Sequence, residues 1–304
     1  MKKSIFCLVA AVGLLTACDP VQSEKDFDQA TLTAEQLKNS CTVTVEQENG
    51  VNINRVHVKS TAPISTYWTN NIVNINSASG DFTMLVTGEQ EITCYAVNSD
   101  GSIVSTIFPV NIQAISEKYP VDPAWGLLYG DGKKDWTWDT SSYPDQWFAG
   151  AVWGNLGYAP GSGESFVTGG NGIWWGAKPE ELTDQLQHSN TGVATGEEDA
   201  NAYMTFTLAG TKIQKYDANG NAIGNGGTLT FDMTPTYNGD DVWALGKLKV
   251  TEGALLFPFK INGGGFMPGE FEIMQLDETN LKLIYADAGT GSWSEATWWA
   301  FKVK

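Results

Sequence analysis

The sequence holds a single arginine, Arg55, among 304 residues, and only two histidines, His57 and His188. Phosphate and nucleic-acid recognition depend on arginine forks and basic patches. With 18 basic residues against 35 acidic ones and a net charge of −17, nucleic acid is excluded as a partner. Neither histidine neighbours a Gly-x-Ser-x-Gly or similar nucleophile motif, which argues against triad hydrolysis. Cysteine is scarce too, at positions 7, 18, 41 and 94. No Cys or His grouping has zinc-site spacing, so no metal and no other cofactor is expected. After the first 17 residues no run is long and apolar enough to cross a bilayer as a helix.

What is present begins with MKKSIFCLVAAVGLLTAC. Two lysines precede an apolar run from Ile5 to Leu15, the pattern of a secretory signal. Leu15-Thr16-Ala17-Cys18 resembles the bacterial lipobox. That resemblance implies loss of residues 1–17, lipidation of Cys18, and anchoring in outer-membrane lipid through several acyl chains. Residues 18–36 are polar and acidic without apolar periodicity, and read as a flexible tether with a short helical turn around Thr33–Gln36. Acids soon after Cys18 also resemble the surface-export signal of gut Bacteroidetes lipoproteins, which implies the cell surface.

Residues 37–115 show short alternating strands punctuated every eight to twelve residues, with tight turns at Asn49-Gly50 and Asp100-Gly101. EITCYAVNSDG followed by a strand resembles the F–G hairpin of immunoglobulin-like and PKD-like modules. Trp68 then corresponds to their buried strand-C tryptophan. Arg55, His57 and Lys59 alternate on a solvated strand face. Export permits a disulfide between Cys41 and Cys94, but two buried thiols fit equally well. Cys41 lies too early for the immunoglobulin-family bridge to be carried over.

Ser116–Pro123, SEKYPVDP, reads as a linker. Residues 124–304 form a second unit with 28 of the 33 glycines and 11 of the 12 tryptophans. YMTFTL, KIQKY, TLTFDM, LGKLKV, FEIMQL, LKLIYA and TWWAFKV read as its strands, the second and third joined by a polar, glycine-rich hairpin loop, and only PEELTDQLQ looks helical. The chain is therefore all-β, with a larger antiparallel domain that is either a jelly-roll-like β-sandwich or a β-barrel.

Three stretches of this unit bear on chemistry. Glu270 and Glu272 sit two apart in GEFEIMQLD and superficially resemble the first acids of the Glu-x-Asp-x-x-Glu strand of jelly-roll glucanases. The acid/base position holds Gln275, which cannot donate and recover a proton; Phe271 and Ile273 inward with both acids outward is the simpler arrangement. Asp217-Ala-Asn-Gly-Asn221 has oxygen ligands at every second position but lacks the rest of a calcium loop, and Asn219-Gly220 is a hairpin signal.

The third stretch is aromatic. DWTWDTSSYPDQW interleaves indoles with Asp, Ser and Gln, where core strands alternate aromatics with aliphatics. An indole can lie against the C–H face of a sugar while neighbouring polar groups bond its hydroxyls. The expected carbohydrate-binding residues are Trp136, Trp138, Asp139, Tyr143 and Trp147, with Trp174 and Trp298 from two Trp-Trp pairs. Trp298 aligns with Lys302 on the wet face, and Trp299 with Phe301 on the buried one. Trp153, in AGAVW, is expected in the core.

Taken together, the lipobox, acidic tether, PKD/Ig-like module and tryptophan-rich β-domain resemble the surface glycan-binding lipoproteins of Bacteroidetes polysaccharide-utilisation systems. The resemblance implies a noncatalytic protein that holds a glycan near a transporter complex. The alternatives are a jelly-roll glycoside hydrolase or lyase, and a structural adhesin without a glycan site.

Overall fold

The computed structural model describes residues 31–142, 148–158, 173–184, 195–238, 240–286 and 294–304. The signal segment, Cys18 and most of the acidic tether lie outside the described residues. The last part of the tether is not loose. Thr33 and Gln36 form a reciprocal capping box that starts helix α1, Ala34–Asn39, satisfying backbone donors that a helix start leaves open. Leu37 of that helix is fully buried. Just before it, the Leu32 amide donates to the Asn98 side chain at 2.9 Å. The first module thus includes residues assigned above to the tether.

Strands β1 (Cys41–Glu48), β2 (Val51–Ser60) and β5 (Ser79–Thr83) make one antiparallel sheet. Strands β3 (Thr66–Thr69), β4 (Asn74–Ile75), β6 (Gly88–Val97) and β7 (Ile103–Ile112) make another. Asn49 and Gly50 both have positive φ, 52° and 82°, as a two-residue hairpin between twisted strands requires. Val56, Val58, Phe82, Ile92 and Cys94 enclose Trp68 between the sheets. His57 is half-exposed and lies 2.7 Å from Asp81, which also pairs with Arg55 at 2.8 Å.

Residues 116–123 are pinned rather than loose. Buried Asn54 accepts from the Ser116 amide at 2.9 Å and donates to the Tyr119 carbonyl at 2.8 Å. The Tyr119 hydroxyl donates to Glu46 at 3.0 Å. Prolines and charges predicted a linker, but every backbone group there that leaves water needs a partner, and one asparagine supplies two.

The second unit opens with helix α2, Ala124–Tyr129. Its strands are β8 (Lys133–Trp138), β9 (Trp153–Tyr158), β10 (Ile173–Ala177), β11 (Tyr203–Thr207), β12 (Lys212–Tyr216) and β13 (Ala222–Asp232). They continue with β14 (Thr236–Asn238), β15 (Asp241–Ala244), β16 (Gly246–Val250), β17 (Glu270–Leu276), β18 (Asn280–Ala286) and β19 (Ser294–Val303). Antiparallel pairing runs β8-β11-β12-β13-β16-β17-β18-β19, and β19 returns to β8 through Phe301 opposite Trp138 and Val303 opposite Trp136. This is a closed eight-stranded barrel in which sequence neighbours pair. It is not a jelly roll, whose Greek-key connections separate consecutive strands. The first half of β19 pairs instead with β9, and β10 lies outside β9 as the edge strand among the described residues.

An eight-stranded barrel is just wide enough to be filled by side chains, and here it is filled. Trp136, Trp138, Phe206, Phe271, Trp299 and Phe301 are all buried in one cluster with aliphatic neighbours. Phe271 and Ile273 point inward as expected. The buried ion pair Lys215–Glu197, at 2.8 Å, lies near Trp138, whose indole N–H donates to the Glu197 carbonyl at 2.8 Å. The other Glu197 carboxylate oxygen accepts from the Phe257 amide. Both chain segments are thereby tied to the barrel wall.

The two modules touch. Val86 joins the buried cluster of the barrel domain, the Thr87 hydroxyl donates to Asp131 at 2.7 Å, and Gln90 donates to the Asp131 carbonyl at 3.1 Å. Gly88, at φ 91°, has no room for a side chain, since a Cβ would stand 2.7 Å from that of Asp131.

Candidate functional site

Because the barrel interior is packed, a ligand has to be met outside it. Three of the six aromatics expected in the platform, Trp136, Trp138 and Trp298, are buried. Trp136 and Trp138 are 0% and 1% exposed and face the barrel interior. Their indole N–H groups donate to the carbonyls of Leu128 and Glu197, so each is satisfied without water. The polar residues beside them mislead because Thr137 is buried and Asp135 half-buried, each bonded to a neighbouring segment. Thr137 donates to the Ala202 carbonyl at 2.7 Å, and Asp135 accepts from Thr205 at 2.6 Å. Asp139 is 3% exposed and accepts from the amide and hydroxyl of Ser141. Tyr143 and Trp147 lie outside the described residues.

Trp298 is also corrected. It does point away from the barrel interior, but that face is covered. Ala151, Leu156, Trp243 and Ala244 pack with it into a second buried cluster outside the barrel wall, and it is 0% exposed. Trp299 and Trp153 are buried as expected, and the Trp153 indole N–H donates to the Phe259 carbonyl at 3.0 Å.

Among the described residues Trp174 is the expected carbohydrate-binding aromatic that reaches solvent, 47% exposed, and its neighbour Trp175 is 36% exposed. Adjacent residues of a regular strand face opposite ways, which predicted one of the pair buried. Here the register shifts between Ile173 and Trp175, where Ile173 pairs with Leu156 and Trp175 with Asn155. Such a bulge breaks the alternation and re-aims side chains. Among the described residues β10 is also the edge strand, with no further strand beyond it.

The edge is held close to the barrel by glycine. Gly154 and Gly176 stand opposite each other on β9 and β10, and a Cβ on Gly154 would run into the Trp175 carbonyl. A Cβ on Gly176 would stand 2.8 Å from that of Ala151 and 3.0 Å from the Trp298 ring. Trp175 in turn meets buried Trp153 edge-on, with ring centroids 6.0 Å apart and planes at 89°. Its position is therefore set by the core.

Beside Trp175 a cleft of about 450 Å³ is lined by Phe148, Lys178, Glu181 and Asp184. Pro179–Glu181 form a short 3-10 turn that continues to Asp184, part of the stretch predicted helical. The Lys178 amide donates to the Glu181 carboxylate at 2.8 Å, which fixes the turn. The Lys178 stem lies across Gly150, 3.6 Å from where a Cβ would be. The cleft thus combines aromatic walls with an ammonium and two carboxylates. Its polar rim was legible only as a helix start, and nothing in the sequence linked that turn to the Trp-Trp pair.

The carboxylates considered for hydrolysis are engaged elsewhere. Glu270 bonds Lys247 and Lys249 at 3.0 and 2.9 Å, and hydrogen bonds from Lys249 and Lys247 hold it below the ordinary carboxylate value. Glu272 accepts from the Trp243 indole at 2.8 Å. Gln275 donates to Asp277 at 2.6 Å. Asp217 accepts from the amides of Asn219 and Asn221, closing a hairpin with Gly220 at φ 84°. Among the described residues no cluster of three His, Cys, Asp or Glu side chains could hold a metal ion.

No family model and no curated protein matches the chain. Among solved structures it is similar to the PKD1 domain of the Vibrio cholerae metalloprotease PrtV, at 12% identity and a TM-score of 0.21 over 24% of this chain and 95% of that one. It is similar also to the PKD1 domain of Vibrio anguillarum Epp, at 10% identity and a TM-score of 0.20 over 25% of this chain and 95% of that one.

Proposed function

We propose that the protein is a noncatalytic, lipid-anchored surface protein that binds a polysaccharide or oligosaccharide at the β10 edge. The observation that carries this reading is the pair of neighbouring, solvent-exposed indoles, Trp174 and Trp175, the second of which lines a cleft rimmed by Lys178, Glu181 and Asp184. Indole faces suit the apolar faces of sugar rings, and the charged rim suits their hydroxyls. An edge strand backed by a packed barrel presents such a platform without reorganisation, which lowers the cost of binding. The acidic chain suits a neutral glycan better than an anionic one.

Anchoring through Cys18, exposure at the cell surface and service to a transporter complex belong to the same proposal and rest on the sequence pattern at the N-terminus. Glycoside hydrolysis is the weaker reading. A general acid must hold a proton near working pH, whereas Glu270 is kept ionised by two lysines.

Affinity electrophoresis against a panel of neutral polysaccharides tests the site. Retardation by at least one glycan, reduced about tenfold or more in Trp175→Ala and in Trp174→Ala, is the expected result. Equal retardation of both variants, or none of the wild type by any glycan, would overturn it. Release of reducing ends by the wild type would replace binding with hydrolysis.

A further inference from the structure

We infer that Cys41 and Cys94 form a covalent cross-link that ties the first strand of the N-terminal module to the central strand of its opposite sheet. In the structure both are thiols, with their sulfurs 3.6 Å apart and no residue between them. They come from different sheets. Cys41 opens β1, which among the described residues pairs with β2 alone, while Cys94 lies mid-strand on β6 between β3 and β7. Cys94 stands opposite Trp68 in the β3–β6 register and is fully buried with it. Cys41 is half-buried.

This asymmetry sets the order of the chemistry. Burial first, and the nearby Cys41 second, hold the Cys94 thiol well above its ordinary value, so it is not the group that reacts first. The more accessible Cys41 thiolate attacks a carrier disulfide, of the small-molecule or dithiol-oxidase class found in an oxidising compartment. That step releases one carrier thiol and leaves a mixed disulfide on Cys41. Cys94 then gives up its proton and attacks the Cys41 sulfur, expelling the second carrier thiol. Two protein thiols are oxidised and one carrier disulfide is reduced to two thiols.

The placement gives the bond a mechanical consequence. The chain enters the module through α1 and turns into β1 at Cys41. Tension on the N-terminal end would otherwise peel β1, an edge strand, from β2. A bond at its first residue passes the load to β6 in the middle of the other sheet. The enclosed loop is long, and long loops lose most unfolded-state freedom on cross-linking.

The test uses the full chain, equilibrated with oxidised glutathione and digested with trypsin without reduction. A single linked species carrying the Cys41 and Cys94 peptides, collapsing to two on reduction, is expected. Reduction of the intact protein should then lower the urea midpoint of the N-terminal module in the wild type and leave Cys41→Ser unchanged. Full alkylation of both cysteines after glutathione treatment and denaturation would overturn the inference. So would recovery of either cysteine only in bonds to another molecule.

Discussion

At the scale of single residues, burial decides what each tryptophan does. Trp138 stacks on Phe301 with ring centroids 5.0 Å apart and donates to the Glu197 carbonyl. Its truncation to alanine should cost about 3–5 kcal/mol of stability, the usual range for an aromatic lost from a packed core, and chemical denaturation checks this. Trp175→Ala should leave the unfolding midpoint near the wild-type value while removing glycan retardation. The sequence shows these indoles to be equally aromatic and similarly flanked, and cannot separate them. Trp136 and Trp138 lie among Asp and Thr because the other face of β8 is covered too, fully at Thr137 and partly at Asp135, with both satisfied by hydrogen bonds to the next strand and loop. Trp299 was legible because it aligns with Phe301 and Val303, Trp153 because it closes the apolar run AGAVW, and Trp68 through the resemblance of its module to immunoglobulin-like domains with a buried strand-C tryptophan.

At the scale of elements, turns carry much of the specification. Asp277 closes the β17–β18 hairpin by accepting from the amides and side chains of Thr279 and Asn280, and from Gln275. Burial alone would raise its pKa, but these donors, led by the Thr279 amide and Gln275, outweigh it and hold the carboxyl well below its ordinary value of 3.8. A depressed folded-state pKa contributes stability that is complete above the unfolded value and lost as pH falls below it. The wild type should therefore lose stability more steeply than Asp277→Asn as pH drops below about 4, as read from urea midpoints across that range. Hairpin turns such as Asn49-Gly50 and Asn219-Gly220 were visible in the sequence because few residues adopt positive φ. The β10 bulge was not, since it depends on how β9 and Trp298 pack beneath it.

At the scale of the molecule, closure of the barrel depends on contacts between residues far apart in sequence. β8 meets β19 at the opposite end of the domain, a pairing that alternation alone could not distinguish from a sandwich. Glu197 and Lys215 pair where both are almost fully buried. Glu197→Gln should destabilise by about 3–5 kcal/mol, because Lys215 keeps a buried charge with its counter-ion gone. The double variant Glu197→Gln with Lys215→Met should recover part of that loss, and a urea-unfolding cycle of the four proteins measures it. A packed interior also explains why the proposed binding surface lies on an outer edge strand rather than in the barrel mouth.

The measurement closest to that claim is hydroxyl-radical footprinting of the folded protein with and without a retarding polysaccharide, resolved to single tryptophans. Trp174 and Trp175 should oxidise readily in the free protein and be protected on binding, while Trp136, Trp138 and Trp298 stay unreactive in both states. Binding that leaves Trp174 and Trp175 as reactive as before would contradict the account.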